Sequence, residues 1–600
     1  MESASFALAF DLDCGRCISL SQRVTVDDYP LHHKTKPSLY EISPARTNRH
    51  FTWVIIAFML AFGTIAGKLV LYGWGVYNSE AKIKIQLLKP TKGRPDIIDR
   101  NGDVLAIDIK KYSVYVEVNK LIERDRAARL LAQALPDHTN QMKLLVEFES
   151  GRNFFWVARN INEEERERVF RLGLPGVVLE KENRRFYPNG TLAAHILGST
   201  DIDNRGTAGF EKYIDSTGIR DVEQFGLSVN AENLAPFQLS IDMRVQHALR
   251  DELVKGITKY KAIAGSGIVY DVTTGEIIAL ASYPDFDPNI TGEAQKGENI
   301  NRAMVGVYEM GSTFKALNTA MALESGKITI NSAFETKEGQ MTFGKHTIHE
   351  YHGTGRRLTI PEIFLHSSNI GSAKMALMAG TKTQQDFLRK MGILDKVQTE
   401  LPETQAPLTP RHWGDIETVT ISFGHGISVS ALSCVKAVGA LVNGGRLIEP
   451  TFLKRTAKEA QEKAPIVIKP ETSEALRFVM RLNAEQGTAK GAVVPGYFIG
   501  GKTGTAEKVV RGTYRKDKML TTFMAITPAD KPRYLYFVIL DEPKGIPETY
   551  NFATSSWNAG AVTGKLLERT APMLLPPMPA APEDPFPTMV KLNAWGAKKS

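Results

Sequence analysis

Glu309-Met310-Gly311-Ser312-Thr313-Phe314-Lys315 opens a helix by its pattern, with Phe314, Leu317 and Met321 near helical spacing and Gly326 beyond the end as a stop. Ser312 falls in the first turn and Lys315 stands three residues on, which puts hydroxyl and amine on one helix face. A serine hydroxyl is a weak nucleophile until a neighbour takes its proton. A neutral lysine can be that neighbour, and both the positive end of a helix and desolvation push its pKa down. The spacing alone discriminates little. Ser79 to Lys82 and Ser433 to Lys436 repeat it with no chemistry assigned to them.

Two later stretches supply what a Ser-Lys pair lacks. Ser367-Ser368-Asn369 follows by about fifty residues, and Lys502-Thr503-Gly504-Thr505 comes far downstream. Ser-x-Asn also occurs upstream at Ser228-Val229-Asn230, in the wrong order, whereas Lys-Thr-Gly occurs once. The ordered trio resembles the motif set shared by penicillin-binding proteins and serine β-lactamases.

Six hundred residues exceed what one core accommodates, so two or more folded units are expected. Composition is that of an ordinary globular protein, without repeats or low-complexity expanses. The net charge of +8 is modest for this length, reads as an ordinary solvated surface, and comes with no nucleic-acid-binding motif. The three cysteines are Cys14, Cys17 and Cys434. Cys14-Gly-Arg-Cys17 is a lone C-x-x-C without a second pair, and Cys434 belongs in the core of an apolar helix.

Residues 1–50 are polar and mixed in charge and read as a cytoplasmic tail. Residues 51–72 form an apolar run broken only by Lys68, long enough for one membrane span, with Arg46, Arg49 and His50 before it arguing for a cytoplasmic N-terminus. No second span follows, so the remainder is expected outside the cytoplasm. Residues 73–237 alternate β-rich runs such as Ser113 to Val118 with charged helical ones such as Glu163 to Arg171, an α+β module without a catalytic cluster. Its loops Arg94 to Gly102 and Arg185 to Gly190 read as polar links between strands.

From Leu239 the pattern tightens. A helix containing Gln246 leads to a hairpin, Gly267 to Asp271 and Glu276 to Leu280, around Thr274-Gly275. Helices then dominate until Tyr497 to Ile499, before the Lys-Thr-Gly stretch and two further strands, Leu520 to Ile526 and Tyr534 to Leu540. An antiparallel sheet with a helical lobe beside it, spanning 238–570, fits this order. Residues 571–600, proline-rich from Pro572 to Pro587, read as an extended tail. His349-Glu350-Tyr351-His352 is one residue short of a zinc-protease H-E-x-x-H and reads as a loop with incidental histidines. No metal and no cofactor is expected.

From about residue 50 to 570 the chain resembles the class B penicillin-binding proteins, single-span transpeptidases of bacterial cell-wall synthesis. The first loop is similar to the family's Arg-Gly-x-Ile-x-Asp-Arg-Asn-Gly element, with Pro95 in place of the usual Gly. Arg185 to Gly190, Ala194-His195, Gly198, Gly206, Gly209 and Glu211 resemble its second non-catalytic element. Asn301-Arg302-Ala303 and Phe423-Gly424-His425-Gly426 are similar to stretches flanking the site, and Met310 replaces a common proline. Within the family, Glu309-Met310-Gly-Ser and Lys-Thr-Gly-Thr-Ala506-Glu507-Lys508 look more like the division-specific branch than the elongation branch.

The resemblance implies an α+β multidomain protein: a single N-terminal transmembrane helix, an α+β pedestal (dimerisation-type) domain, and a serine β-lactamase-like transpeptidase domain at the inner membrane. It implies acylation of Ser312 by a peptidoglycan stem peptide ending in D-Ala-D-Ala, or by a β-lactam, with Lys315 as proton acceptor. Ser367 would relay a proton and Asn369 hold Lys315 and the substrate amide. Lys502 would add positive charge, and Thr503, Thr505 and the side-chain-free edge at Gly504 would bind substrate. The implied partners are a polytopic membrane glycosyltransferase and other division proteins. A β-lactam receptor would carry an additional cytoplasmic signalling unit. A β-lactamase would need a water-activating carboxylate and neither anchor nor pedestal, and a division scaffold would not need an intact trio.

Overall fold

The computed structural model describes residue 53 and residues 55–68, 93–217, 235–343, 346–350 and 353–576. The chain divides into two units, Met1–Leu88 and Lys89–Ser600. In the first, residues 53 and 55–68 are helical, and Trp53, Phe58, Met59, Leu60 and Phe62 are exposed. No helix among the described residues is long and apolar enough to cross a membrane. Residues 51, 52, 54 and 69–72 of the expected span lie outside the described residues, as do the tail 1–50 with Cys14 and Cys17, and the Ser79 to Lys82 spacing.

The second unit begins with a sheet centred on β1 (Val104–Glu117), which pairs antiparallel with β2 (Phe154–Ile161) on one side and β3 (Val177–Phe186) on the other. Helices α1 (Arg124–Ala134), α2 (Gln141–Glu149) and α3 (Glu163–Arg171) accompany it. Ala127, Ala128 and Leu131 recur at helical spacing and meet Val114 and Val116 of β1 in one core. Asn162 and Glu165 close a capping box at the start of α3.

Arg94 and Arg185 do not act as surface links. Arg94 is 6% exposed and Arg185 2%, and the latter ends β3 rather than opening a loop. Both converge on Glu211 of α4 (Gly209–Ser216): Arg94 Nε donates to Oε2 at 2.7 Å and Arg185 Nε to Oε1 at 2.6 Å. Asp215 and Asp108 complete the cluster, at 2.6 Å from Arg94 and 3.2 Å from Arg185. Charged side chains this deep persist because each has a partner, and losing one member of such a buried group costs about 3–5 kcal/mol. Turn formers and charge in these two stretches suggest polar links, but the Glu211 partner that buries both arginines lies 117 and 26 positions away along the chain.

Helix α5 (Met243–Lys259) carries Gln246, as the pattern implies, and is capped by Asp242, which accepts from Arg244 N. Strands β4 (Ala264–Asp271) and β5 (Ile277–Tyr283) form the expected hairpin. They complete a five-stranded antiparallel sheet with β6 (Gly500–Val510), β7 (Thr513–Thr527) and β8 (Tyr534–Asp541), in the order β6-β7-β8-β4-β5. Along β8 the side chains alternate between two cores. Leu535, Phe537 and Ile539 face the helical lobe with Phe314, Leu317 and Leu432. Tyr536, Val538 and Leu540 pack on the other side with Leu249 and Leu253 of α5 and with Leu566 and Leu567 of α11 (Ala559–Leu574). Both faces are covered, which is why β8 reads as an unbroken apolar run.

The lobe contributes α6 (Lys315–Glu324), α7 (Asn369–Ala379), α8 (Asp415–Ser422), α9 (Ala431–Val442) and α10 (Pro470–Gln486). Two expectations are corrected. α11 runs through Pro572 to Leu574, because Leu566 and Leu567 before the proline and Leu574 after it pack on the core under the sheet. β6 and β7 also extend past the expected strands into a charged hairpin turning at Arg511-Gly512, a stretch without period-2 patterning. The first part of the unit docks onto the second through His195, which hydrogen-bonds Asn299 O at 3.1 Å and accepts from Asn301 Nδ2 through its own carbonyl at 3.3 Å.

Candidate active site

Ser312 lies in a 3-10 turn, Gly311–Phe314, that passes directly into α6 at Lys315. Thr313 Oγ1 closes the turn on Met310 O at 2.7 Å. Glycine is required at 311, where φ is +54° and a Cβ would sit 2.6 Å from Thr505 O. Gly504 is the reciprocal case, since its Cβ would lie 2.6 Å from Met310 O and 2.2 Å from Thr522 Oγ1. These two positions let the turn bearing Ser312 lie against the Lys-Thr-Gly stretch of β6, the free edge strand of the sheet. Met310, in place of a common proline, is 1% exposed and belongs to the core.

Lys315 is 1% exposed. Its Nζ donates to Ser367 O at 2.5 Å, Ser367 Oγ at 3.1 Å and Asn369 Oδ1 at 2.8 Å. Burial brings its pKa down from 10.5 to about 7, with the Glu350 charge opposing the fall. Lys502 is fully buried, and its Nζ donates to Ser367 Oγ at 2.9 Å and Thr503 O at 3.2 Å. Burial, then the Lys315 charge, holds Lys502 well below the ordinary lysine range. The two amines therefore disfavour each other's charged forms, which bears on the expectation that Lys502 adds positive charge.

Two amines thus share the oxygen of Ser367, which leaves that hydroxyl its own hydrogen to donate. Ser367 adopts φ +55°, a left-handed conformation that costs a serine about 1–3 kcal/mol and aims both its carbonyl and its hydroxyl at Lys315. Ser368 caps α7 by accepting from Gly371 N at 2.9 Å. On β6, Thr503 Oγ1 meets Thr488 Oγ1 at 2.8 Å, and Thr505 Oγ1 accepts from Ser555 N at 3.3 Å. The structure so brings Ser367, Asn369 and Lys502 to Lys315, and Gly504 and Thr505 against the Ser312 turn.

Sequence reasoning missed Glu350, whose carboxylate accepts from Asn369 N at 2.9 Å. The spacing of His349-Glu350-Tyr351-His352 carries no sign of this, because the N–H partners of Glu350 lie 19 and 20 positions further along the chain. Among the described residues no cluster suited to a metal ion occurs. Glu309 also has a role beyond the motif pattern: Oε1 accepts from Gly426 N at 2.8 Å and Tyr514 Oη at 3.1 Å, tying the turn before Ser312 to the β6–β7 hairpin. Burial and then the Lys315 charge lower His425 to about 4, so it stays neutral near pH 7.

Residues 265–566 match the penicillin binding protein transpeptidase domain, and residues 90–224 match the penicillin-binding protein dimerisation domain. A Caulobacter vibrioides protein named "Probable peptidoglycan D,D-transpeptidase FtsI" is 37% identical over 513 residues, 84% of this chain and 85% of that one. A Neisseria meningitidis protein named "Probable peptidoglycan D,D-transpeptidase PenA" is 31% identical over 527 residues, 83% of this chain and 89% of that one. The solved TP domain of Burkholderia pseudomallei penicillin-binding protein 3 superposes with a TM-score of 0.51 at 30% identity, covering 57% of this chain and 98% of that one. With a dimerisation domain followed by a transpeptidase domain, the chain belongs to the class B penicillin-binding proteins.

Proposed function

We propose that this protein is a serine D,D-transpeptidase that cross-links peptidoglycan stem peptides during septal wall synthesis. The observation that carries the reading is Lys315, buried and poised near neutrality, three residues from Ser312 and hydrogen-bonded to Ser367 and Asn369. Ser312 Oγ attacks the carbonyl of the penultimate D-alanine as Lys315 takes its proton. The C–N bond to the terminal D-alanine then breaks, the leaving nitrogen receives a proton through Ser367, and an ester to Ser312 remains. An amine from a second stem attacks that ester, forms the cross-link and returns the proton to Ser312. The N–H groups of Ser312 and Thr505 would hold the developing oxyanion, at about 3–4 kcal/mol each. Lys502 with the Thr503 and Thr505 hydroxyls would take the terminal carboxylate, whose charge favours the protonated form of Lys502. The edge of β6 at Gly504 would pair with the peptide backbone.

Purified full-length protein, supplied with uncross-linked glycan strands, is expected to release D-alanine and form peptide dimers in step, both stopped by penicillin. Release of D-alanine without dimers would make it a carboxypeptidase instead.

The septal assignment rests on the Glu309 to Ser312 and Lys502 to Lys508 stretches and on the FtsI name of the 37% identical relative. The exposed apolar side chains of Trp53, Ile55, Phe58, Leu60, Phe62 and Ile65 support an inner-membrane anchor with the catalytic domain periplasmic. Ala61, Gly63, Ala66 and Gly67 would let that helix pack closely on a membrane partner, in this reading the polytopic glycosyltransferase. A fluorescent fusion should gather at mid-cell and retain that partner on purification. Replacing residues 51–72 with an unrelated span should keep penicillin binding but lose both. Side-wall distribution of the parent fusion would favour the elongation branch, and normal behaviour of the swapped one would reduce the segment to a tether.

A further inference from the structure

The acyl-transfer scheme gives no part to Glu350, yet its surroundings are built. It follows a hairpin, Gln340–Phe343 with His346–His349, in which His349 lies opposite Gln340. Its own N–H donates to Gly339 O at 2.9 Å, which fixes the backbone at the hairpin's end. Its carboxylate then meets the start of α7. Oε2 accepts from Asn369 N at 2.9 Å, and Oε1 accepts from Ile370 N at 3.1 Å and from the Ser368 hydroxyl. Next to it, His349 O accepts from Asn369 Nδ2 at 3.2 Å. Asn369 is thereby held by its main chain and by its amide nitrogen, and the amide oxygen is left facing Lys315 Nζ at 2.8 Å.

The charges around Lys315 make this placement matter. Lys502 approaches from β6, His425 from the loop after α8, and Glu350 from the hairpin, while α6 itself carries no further charge before Glu324. Lys502 and Lys315 repel when both are protonated, and His425 is neutral. Glu350 acts on Lys315 in the opposite sense, as a nearby negative charge that favours the ammonium. Without it, burial would act on Lys315 unopposed by any of these groups.

We propose that Glu350 is a positioning residue for acyl transfer: it clamps the Ser-x-Asn turn onto the start of α7, fixes Asn369 against Lys315, and supplies a negative charge that opposes the effect of burial on that amine. This rests on the acyl-transfer reading of Ser312. A carboxylate that merely capped a helix would change stability and rate, but not the pH at which the base switches on.

The test is the rate constant for acylation of Ser312 by a labelled penicillin, measured on the full-length protein across about pH 5–9, which brackets the Lys315 value of about 7. In Glu350→Gln the acid limb should move down by about 0.5–1 pH unit, because the charge favouring protonated Lys315 is gone. The plateau should fall about tenfold, because an amide nitrogen now faces the N–H donors of α7. Glu350→Asp keeps the charge, so its limb should stay near the parent's even where the shorter reach lowers the plateau. The midpoint of a limb is independent of the fraction of active protein, so partial misfolding leaves it readable. An unmoved limb in Glu350→Gln, however slow the variant, overturns the proposal. So does a limb displaced as far in Glu350→Asp as in Glu350→Gln. A parent protein that forms no Ser312 adduct at any pH overturns the acyl-transfer reading itself, a distinguishable result.

Discussion

Ser312→Ala is expected to abolish the covalent adduct with a labelled penicillin, and Ser433→Ala to label like the parent protein. Both serines begin a Ser-x-x-Lys string, so the contrast isolates what the fold adds to the motif. Ser433 lies in α9, every residue of which is buried, and its N–H is taken by Ser430 Oγ at 3.1 Å. Its Lys436 Nζ is engaged by Glu449 Oε1 at 2.5 Å. Among the described residues, Lys315 Nζ donates to the uncharged oxygens of Ser367 and Asn369 and to no carboxylate. Ser312 is half-buried in a turn against β6, where a substrate carbonyl can reach it. Removing the nucleophile leaves no atom to carry the acyl group, so the expected loss is total. Intact-mass measurement after incubation reads it directly. An adduct on Ser312→Ala would move the nucleophile elsewhere and dissolve the assignment.

The helix after Ser312 and the β4–β5 hairpin follow from local pattern, and the structure places both where that pattern puts them. Cys434 likewise falls fully buried on an apolar helix. The three motif stretches were legible because each is short and chemically distinctive. Their convergence was not, because about fifty residues separate Lys315 from Ser367 and well over a hundred separate Ser367 from Lys502. The same limit hid Glu350, whose carboxylate is meaningful only beside the free N–H groups at the start of α7. It also hid Arg94, Arg185 and Glu211, three charged residues that look solvated singly and form one buried cluster together. Tyr514 and Glu309 stand some two hundred positions apart and meet only because β6 and β7 extend into a hairpin with no sequence periodicity.

Lys315→Arg is expected to cut acylation by about 10²–10⁴-fold, the range a general base supplies. The substitution keeps positive charge and removes the ability to give it up, since a guanidinium stays protonated at any working pH. An ordinary lysine, at 10.5, would be neutral in about one molecule in 3,000 at pH 7. With burial bringing Lys315 to about 7, close to half of the molecules hold a free base there. The parent's acylation should therefore rise with pH through about 7 and level off as Lys315 loses its proton. The arginine variant should stay flat and low over the same range. A planar fork also cannot reproduce the three bonds to Ser367 O, Ser367 Oγ and Asn369 Oδ1 that Lys315 makes through one nitrogen. Part of the loss is thus positional, and the pH profile separates the two contributions. If Lys315→Arg retained a rising limb near the parent's midpoint, proton removal from Ser312 would belong to another group. Lys502 would then be the first candidate, since it shares the Ser367 hydroxyl and is also held below the ordinary lysine range.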